Sequence, residues 1–328
     1  MTTAARNVII LSLMHGVAAA CGLGCGLSAG TCGGGPRVAV LACRDALVAG
    51  GATVELATAG SDAEVDAVIA RLDGPARDDG LTWPGTAGPA LVVAVESDGQ
   101  LRAVVRRMVR RYAPPPSRRP ADLAPGRTLP DLPAIGVLPL SAVPRARGAA
   151  PDLVDRLGLP RDPAAVAAAV LRGATRRLDL FRTDAGSVTL HGALLGGVDA
   201  AGNATGWYGR VELDDHVLAD GREPVLACAV ANADGYAHLD ELPLAPNADA
   251  SSGTMTVAVA VPVLAGSRRG SGARRGPEVR IEVRRATGRA VSVAPATDLP
   301  FADDGVAGTL TRKRAWWVEP GAWAAFTG

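Results

Sequence analysis

Lysine is almost absent from this chain: Lys313 is the only one in 328 residues, and arginine carries nearly all of the positive charge. That excludes a G-x-x-x-x-G-K-[ST] phosphate loop, which needs a lysine that the sequence does not supply. Aromatic residues make up 3%, too few for a platform that stacks the bases of single-stranded nucleic acid. With a net charge of +1 there is no global electrostatic footprint for nucleic acid either. No uninterrupted apolar run approaches the roughly 20 residues that span a bilayer. Between Arg6 and Arg37 there is no Asp, Glu, Lys or Arg, and the segment opens NVIILSLMHG in the manner of a secretory signal. Gly22, Gly24 and Gly26 break its second half, which predicts a buried strand followed by a glycine-rich loop.

A disulfide framework is equally unsupported. The five cysteines, Cys21, Cys25, Cys32, Cys43 and Cys228, are odd in number and front-loaded, which fits free thiols in a reducing, cytoplasmic setting. The spacing Cys21-x3-Cys25-x6-Cys32 matches no standard zinc or iron–sulfur pattern, and no metal site is expected. The four histidines, His15, His191, His216 and His238, form no H-x-x-x-H pair and read as structural. His15 stands out because it follows the first predicted strand, at the edge where open α/β sheets bind ligands.

What remains is a hydrophobic content of 48%, enough for two ordinary cores. Val8–Leu13 reads as a buried strand, Arg37–Val48 as a helix stopped by Gly50-Gly51, and Thr53–Thr58 as a strand. Ser61-Asp62-Ala63-Glu64 is a capping box for a helix with Val65, Val68, Ile69 and Leu72 on its apolar stripe. Leu91–Val95 is another buried strand, and the helix after it shows Leu101, Val104, Val105, Met108 and Tyr112 on one face. This alternation predicts a doubly wound parallel sheet with helices on both sides. Residues 113–133 are too proline-rich for a regular element and read as a surface insertion, after which IGVLPL resumes a strand. Asp162-Pro163 has the form of an N-cap followed by a first-turn proline. From Arg177 onward short alternating segments such as RLDLFR, SVTLHGALL, TMTVAVAVPVL and RAWWVEP predict a β-sandwich-like region. The boundaries drawn from this pattern are residues 1–138 for the α/β domain and 139–328 for the β-rich one, with a cleft between them.

The turn between the third strand and its helix carries the chemistry. VVAVESDGQLRAVV resembles the G-G-D-G-T loop and helix of the diacylglycerol kinase and sphingosine kinase family. GVLPLSAVPRA resembles that family's G-V-L-P-L-G-T-G-N-D-F-A signature, and PFADDGVAG stands where the family has a D-G-E turn. VLACAVANADGYAHLDELPLAPNADASSGTMTVAVA resembles its second-domain core. The resemblance covers most of the chain in order. It implies an interdomain cleft in which ATP and magnesium phosphorylate a hydroxyl of a hydrophobic or lipid-like substrate.

Carried over residue by residue, the resemblance makes Asp98 and Asp304 the candidate catalytic residues, with Asp304 as base. Glu96, Ser97, Gly99, Gln100 and Ser141 become the candidate nucleotide contacts. Asp98 and Gly99 match the first motif, whereas Glu96, Ser97 and Gln100 replace its two glycines and its threonine. Side chains at glycine positions of an anion cradle add about 1–3 kcal/mol of strain if the same backbone is held. A carboxylate at position 96 also repels phosphate, and Pro144 removes one N–H from the second motif. Three readings follow: a phosphotransferase, a kinase fold that handles a hydrophobic molecule such as a specialised metabolite without ATP, and a regulatory pseudokinase. Asp98 reads alternatively as a cap for a helix starting at Gln100, and Asp303-Asp304-Gly305 as an ordinary hairpin turn. Arg102, Arg106, Arg107, Arg110 and Arg111 on one helix face, and Arg268, Arg269, Arg274 and Arg275 in a glycine-rich loop, are either solvated or able to touch an anionic membrane surface.

Overall fold

The computed structural model of the chain describes residues 6–14, 37–140, 152–265 and 278–328. His15, Cys21, Cys25, Cys32, Ser141, Pro144 and the Arg268–Arg275 arginines lie outside the described residues. In chain order the first elements are β1 (Asn7–Leu13), α1 (Val38–Ala49), β2 (Thr53–Ala59), α2 (Asp62–Ala70), β3 (Ala90–Val95) and α3 (Asp98–Tyr112). They are followed by β4 (Ala134–Pro139), α4 (Leu153–Arg156), α5 (Pro163–Arg172), β5 (Thr175–Thr183), β6 (Val188–Thr189) and β7 (Gly192–Leu195). Next come β8 (Gly197–Val198), β9 (Ala204–Thr205), β10 (Gly209–Leu213), β11 (His216–Asp220), β12 (Ala227–Ala231), β13 (Tyr236–Leu239) and β14 (Leu242–Ala245). The chain ends with β15 (Met255–Ala265), β16 (Glu278–Gly288), β17 (Ala290–Pro295), β18 (Leu299–Asp303), β19 (Val306–Leu310) and β20 (Arg314–Phe326).

The strands β2, β1, β3 and β4 lie side by side and parallel. Their continuous apolar runs require cover on both faces. Alternate residues supply it: Ile9, Leu11, Val93 and Val137 pack with α2 and α3, whereas Val8, Ile10, Val92 and Leu138 pack with α1 and α5. Local chemistry sets the helix starts. Ser61 accepts the Glu64 N–H while Glu64 reaches back to the Gly60 N–H, and Asp162 accepts from Ala164 and Ala165. Helix α5 stops where Gly173 takes a φ of 74°.

The sheet does not end at β4. β20 runs parallel to β4 through Ala324 and Ala325, and antiparallel to β5 and β17. The result is one ten-stranded mixed sheet, ordered β11-β10-β17-β20-β4-β3-β1-β2 with β5 and β6 attached. A six-stranded antiparallel sheet, ordered β16-β15-β12-β7-β18-β19, shares a second core with β5, β10, β17 and β20, centred on Phe181, Val230, Val259 and Trp316. RAWWVEP is therefore the first half of a 13-residue strand. Pro320-Gly321 reads as a stop in sequence, but Gly321 adopts a φ of 56° and its N–H is taken by buried Asp179, so the strand passes through a bulge.

The proline-rich segment also differs from a loose surface insertion. Its prolines bar regular structure, yet Leu129 and Leu132 are fully buried in the main core. Thr128 donates through both N–H and hydroxyl to buried Glu319, and the Leu132 N–H donates to the Ala322 carbonyl. Among the described residues no helix is long and apolar enough to cross a membrane.

Candidate functional site

The turn from β3 into α3 sits at the carboxyl edge of the parallel strands, where this class of sheet binds ligands. Its sequence, Glu96-Ser97-Asp98-Gly99-Gln100, closes on itself. Ser97 is the N-cap residue of α3, extended at φ −152°, and the Gln100 side chain reaches back so that its Oε1 accepts the Glu96 N–H at 2.7 Å. This is the S-x-x-Q logic of a capping box shifted by one residue, and Glu64 does the same for Gly60 at α2. Gln100 is only 6% exposed, so the bond lies out of bulk water. The Glu96 carboxylate forms an ion pair with Arg37, just ahead of α1. Ser97 itself is exposed and its hydroxyl makes no cap bond.

Asp98 does not cap a helix starting at Gln100. The helix starts at Asp98, because Ser97 already occupies the N-cap position. Both Asp98 carboxylate oxygens instead accept the Leu153 N–H, at 3.1 and 3.2 Å, at the first residue of α4. Asp98 Oδ2 also lies 3.8 Å from Nδ1 of His191, just ahead of β7. His191 is 5% exposed, its ring meets the Tyr236 ring edge-on at 4.6 Å, and its Nε2 has no hydrogen-bond partner. Tyr236 is closed in as well: burial, and after it the negative charges of Asp304 and Asp303, push its phenol well above the usual range.

Asp304 holds the backbone of the same histidine. It and Gly305 form a two-residue hairpin between β18 and β19 with φ of 48° and 76°, as a type I′ turn requires. The hairpin reading of this sequence is thus correct for the backbone. The side chain, however, turns inward and is 2% exposed. Oδ1 accepts from the His191 and Gly192 N–H groups at 2.7 and 3.1 Å, and Oδ2 from the Leu190 N–H at 2.8 Å. The Asp304 N–H returns a bond to the Gly192 carbonyl. Asp303 lies beside it, taking the Thr189 hydroxyl at 2.7 Å, while Arg102 of α3 bonds its carbonyl at 2.5 Å and approaches its carboxylate at 3.7 Å. Burial first, and the Asp303 charge second, push the Asp304 carboxyl up to about 7, outweighing Arg102 and the backbone donors. Burial also raises Asp303.

The two Asp-Gly turns therefore meet. A Cβ on Gly99 would stand 2.7 Å from the Val306 side chain and 3.9 Å from the Asp304 carbonyl. Of the sequence-derived candidates, Asp98, Gly99 and Asp304 come together, Glu96 and Gln100 lock the turn, and Ser97 sits on its outside. The residue that the fold adds to this cluster is His191, read from the sequence as structural. Only its position after SVTL, in the short link between β6 and β7 whose N–H groups Asp304 takes, could have marked it. Among the described residues no group of three or more His, Cys, Asp or Glu side chains is placed to hold a metal ion. Four of the five α3 arginines are engaged within the protein: Arg102 with Asp303, Arg106 and Arg107 with Asp62 and Asp66, and Arg111 with Asp73.

Chemically, the junction offers a histidine with a carboxylate near one ring nitrogen and no partner on the other, beside a carboxyl that titrates near neutrality. That arrangement can accept or return a proton at a substrate hydroxyl. Among the described residues it contains no lysine and no metal cage to neutralise a triphosphate.

No family model matches the chain, and no curated protein matches it in sequence. Solved structures do match. A diacylglycerol kinase from Bacillus anthracis str. Sterne superposes with a TM-score of 0.59 at 11% identity, covering 99% of this chain and 98% of that one. A second diacylglycerol-kinase structure from the same organism gives a TM-score of 0.61 at 11% identity with the same coverage. At this identity the likeness shows the fold, which is that of the diacylglycerol-kinase-like proteins along its whole length.

Proposed function

We propose that this lipid-kinase-fold protein acts at the Asp98–His191–Asp304 junction on a hydrophobic small molecule bearing a hydroxyl, and does so without seating nucleotide phosphates on the β3–α3 turn. The observation that carries this reading is the Gln100–Glu96 hydrogen bond. A phosphate cradle works by presenting backbone N–H groups to the anion, and the Glu96 N–H is already satisfied by a buried side chain. Binding phosphate there means breaking that bond and placing the anion beside the Glu96 carboxylate, which Arg37 only partly offsets. Losses of 1.4 kcal/mol each weaken binding about tenfold. ATP and magnesium, implied by the family, do not fit these residues, and no step is routed through them.

The phosphotransfer reading keeps one specific support, the meeting of the two Asp-Gly turns, which would set Asp98 and Asp304 on the same substrate. Thermal denaturation with 5 mM Mg-ATP or Mg-ADP separates the two. A ligand at 100 times its Kd stabilises by about 2.7 kcal/mol, several degrees in Tm. We expect a shift below 1 °C. A shift of several degrees that is lost in Asp98→Ala would reinstate phosphotransfer.

A further inference from the structure

We propose that β16 receives a second copy of this chain: two β16 strands pair antiparallel about Ile281 and join two six-stranded sheets into one. β16 is the outermost strand of its sheet. It runs for 11 residues in unbroken register with β15, from Met255↔Gly288 to Ala265↔Glu278, and contains no proline. Among the described residues the other outer strands are shorter. β11 has five residues and a register shift against β10, β19 has five, and β2 has seven. A long, regular edge presents a row of backbone N–H and C=O groups to another strand.

The side chains identify the strand that fits. Residues 279–283 read VRIEV. Set antiparallel against its own copy about Ile281, this stretch places Val279 opposite Val283, Arg280 opposite Glu282 and Ile281 opposite Ile281. Directly opposed residues share a face of the sheet and lie close enough to interact. One face then carries a row of β-branched pairs, and the other carries two pairs of opposite charge. The register is specified as well, because centring the pairing on Arg280 or on Glu282 opposes like charges, and a slip of one residue sets Ile281 against Glu282.

The exposed surface matches this pairing. Val279 is 61% and Ile281 40% exposed, on the face where Val283 packs with Ala227, Ala229 and Ala260. Pairing extends that apolar layer from one copy to the next. On the opposite face Glu282 bonds Arg284 at 2.9 Å while half exposed, and a carboxylate accepts more than one donor, so Arg280 of the second copy joins it. The far half of the strand is held in place. Arg284 bonds Glu223 and the Leu218 carbonyl, and Arg285 bonds the Leu244 and Pro243 carbonyls at 2.9 and 2.7 Å.

Sedimentation velocity of the full chain, from about 1 to 300 µM, reads the association. A contact this small, below about 1,200 Å², should give a reversible dimer with a Kd on the order of 10 µM. Ile281→Lys, at an exposed position, sets two cations face to face at the centre and should weaken the dimer at least tenfold. Arg280→Glu and Glu282→Arg should each do the same alone. Their equimolar mixture should associate within about threefold of the wild type, since each variant then meets opposite charge at both positions. That recovery also shows that both variants fold. A wild type that stays monomeric throughout, a dimer unaffected by Ile281→Lys, or a mixture no tighter than its separate components would overturn the assignment.

Discussion

Asp304→Ala is expected to destabilise the protein by about 3–6 kcal/mol, measured by urea unfolding at pH 7. The carboxylate accepts three backbone N–H groups, from Leu190, His191 and Gly192, and ties the β18–β19 hairpin to the segment leading into β7, beside the β18–β7 pairing itself. Each buried donor left without an acceptor costs about 1–3 kcal/mol, reduced here by relief of the Asp303–Asp304 repulsion. The same group gives a pH signature. Burial raises its pKa to about 7, above the ~3.9 of an unfolded aspartate, so between those values the native state holds a proton that the unfolded chain does not. Its contribution is complete below about pH 4 and is lost as the pH rises through 7. Relative to Asp304→Asn, which cannot titrate, the wild type should lose on the order of 2–4 kcal/mol from pH 4 to pH 7. Parallel stability curves for the two proteins would show that the carboxyl ionises normally in the fold.

Glu319→Ala should be comparably severe, costing about 3–5 kcal/mol. Glu319 is fully buried in the bulged strand β20. It accepts the Thr128 N–H and hydroxyl and the Trp317 indole N–H, and it faces Arg182 at 3.8 Å. Burial lowers the Arg182 pKa, a sign that its charge depends on this partner. Alanine at 319 strands that arginine and frees the proline-rich segment from its anchor. Replacing both residues, as Glu319→Leu with Arg182→Leu, removes the stranded charge but leaves the Thr128 and Trp317 donors unpaired, and should recover part of the loss. Chemical denaturation of the single and double variants decides it, and a double variant as unstable as the single would refute the pairing.

The α/β elements were legible because burial on both faces forces continuous apolar strands and amphipathic helices, which local pattern reports directly. Val65, Val68 and Ile69 are buried as their spacing predicts, and Asp162-Pro163 caps as its chemistry predicts. The return of β20 into the first sheet was not legible, since partner choice between strands far apart leaves no local trace, and Pro320-Gly321 reads as a terminator. The site divides the same way. Asp98, Gly99 and Asp304, which the fold brings together, were singled out through a family-like order of motifs. The S-x-x-Q box at Ser97–Gln100 was visible in sequence but was read as a loop that had lost its threonine. His191 and Glu319 owe their surroundings to burial and to partners such as Asp98 and Thr128 that are remote in sequence, which no spacing rule reaches.

The central claim concerns one backbone amide. Amide NMR of the ¹⁵N-labelled protein, titrated with Mg-ATP to 10 mM, reads it directly. Committed to the Gln100 side chain, the Glu96 resonance should stay in place, along with those of Ser97 and Gly99. Saturable shifts of these three signals, reaching completion at low millimolar nucleotide, would contradict the account.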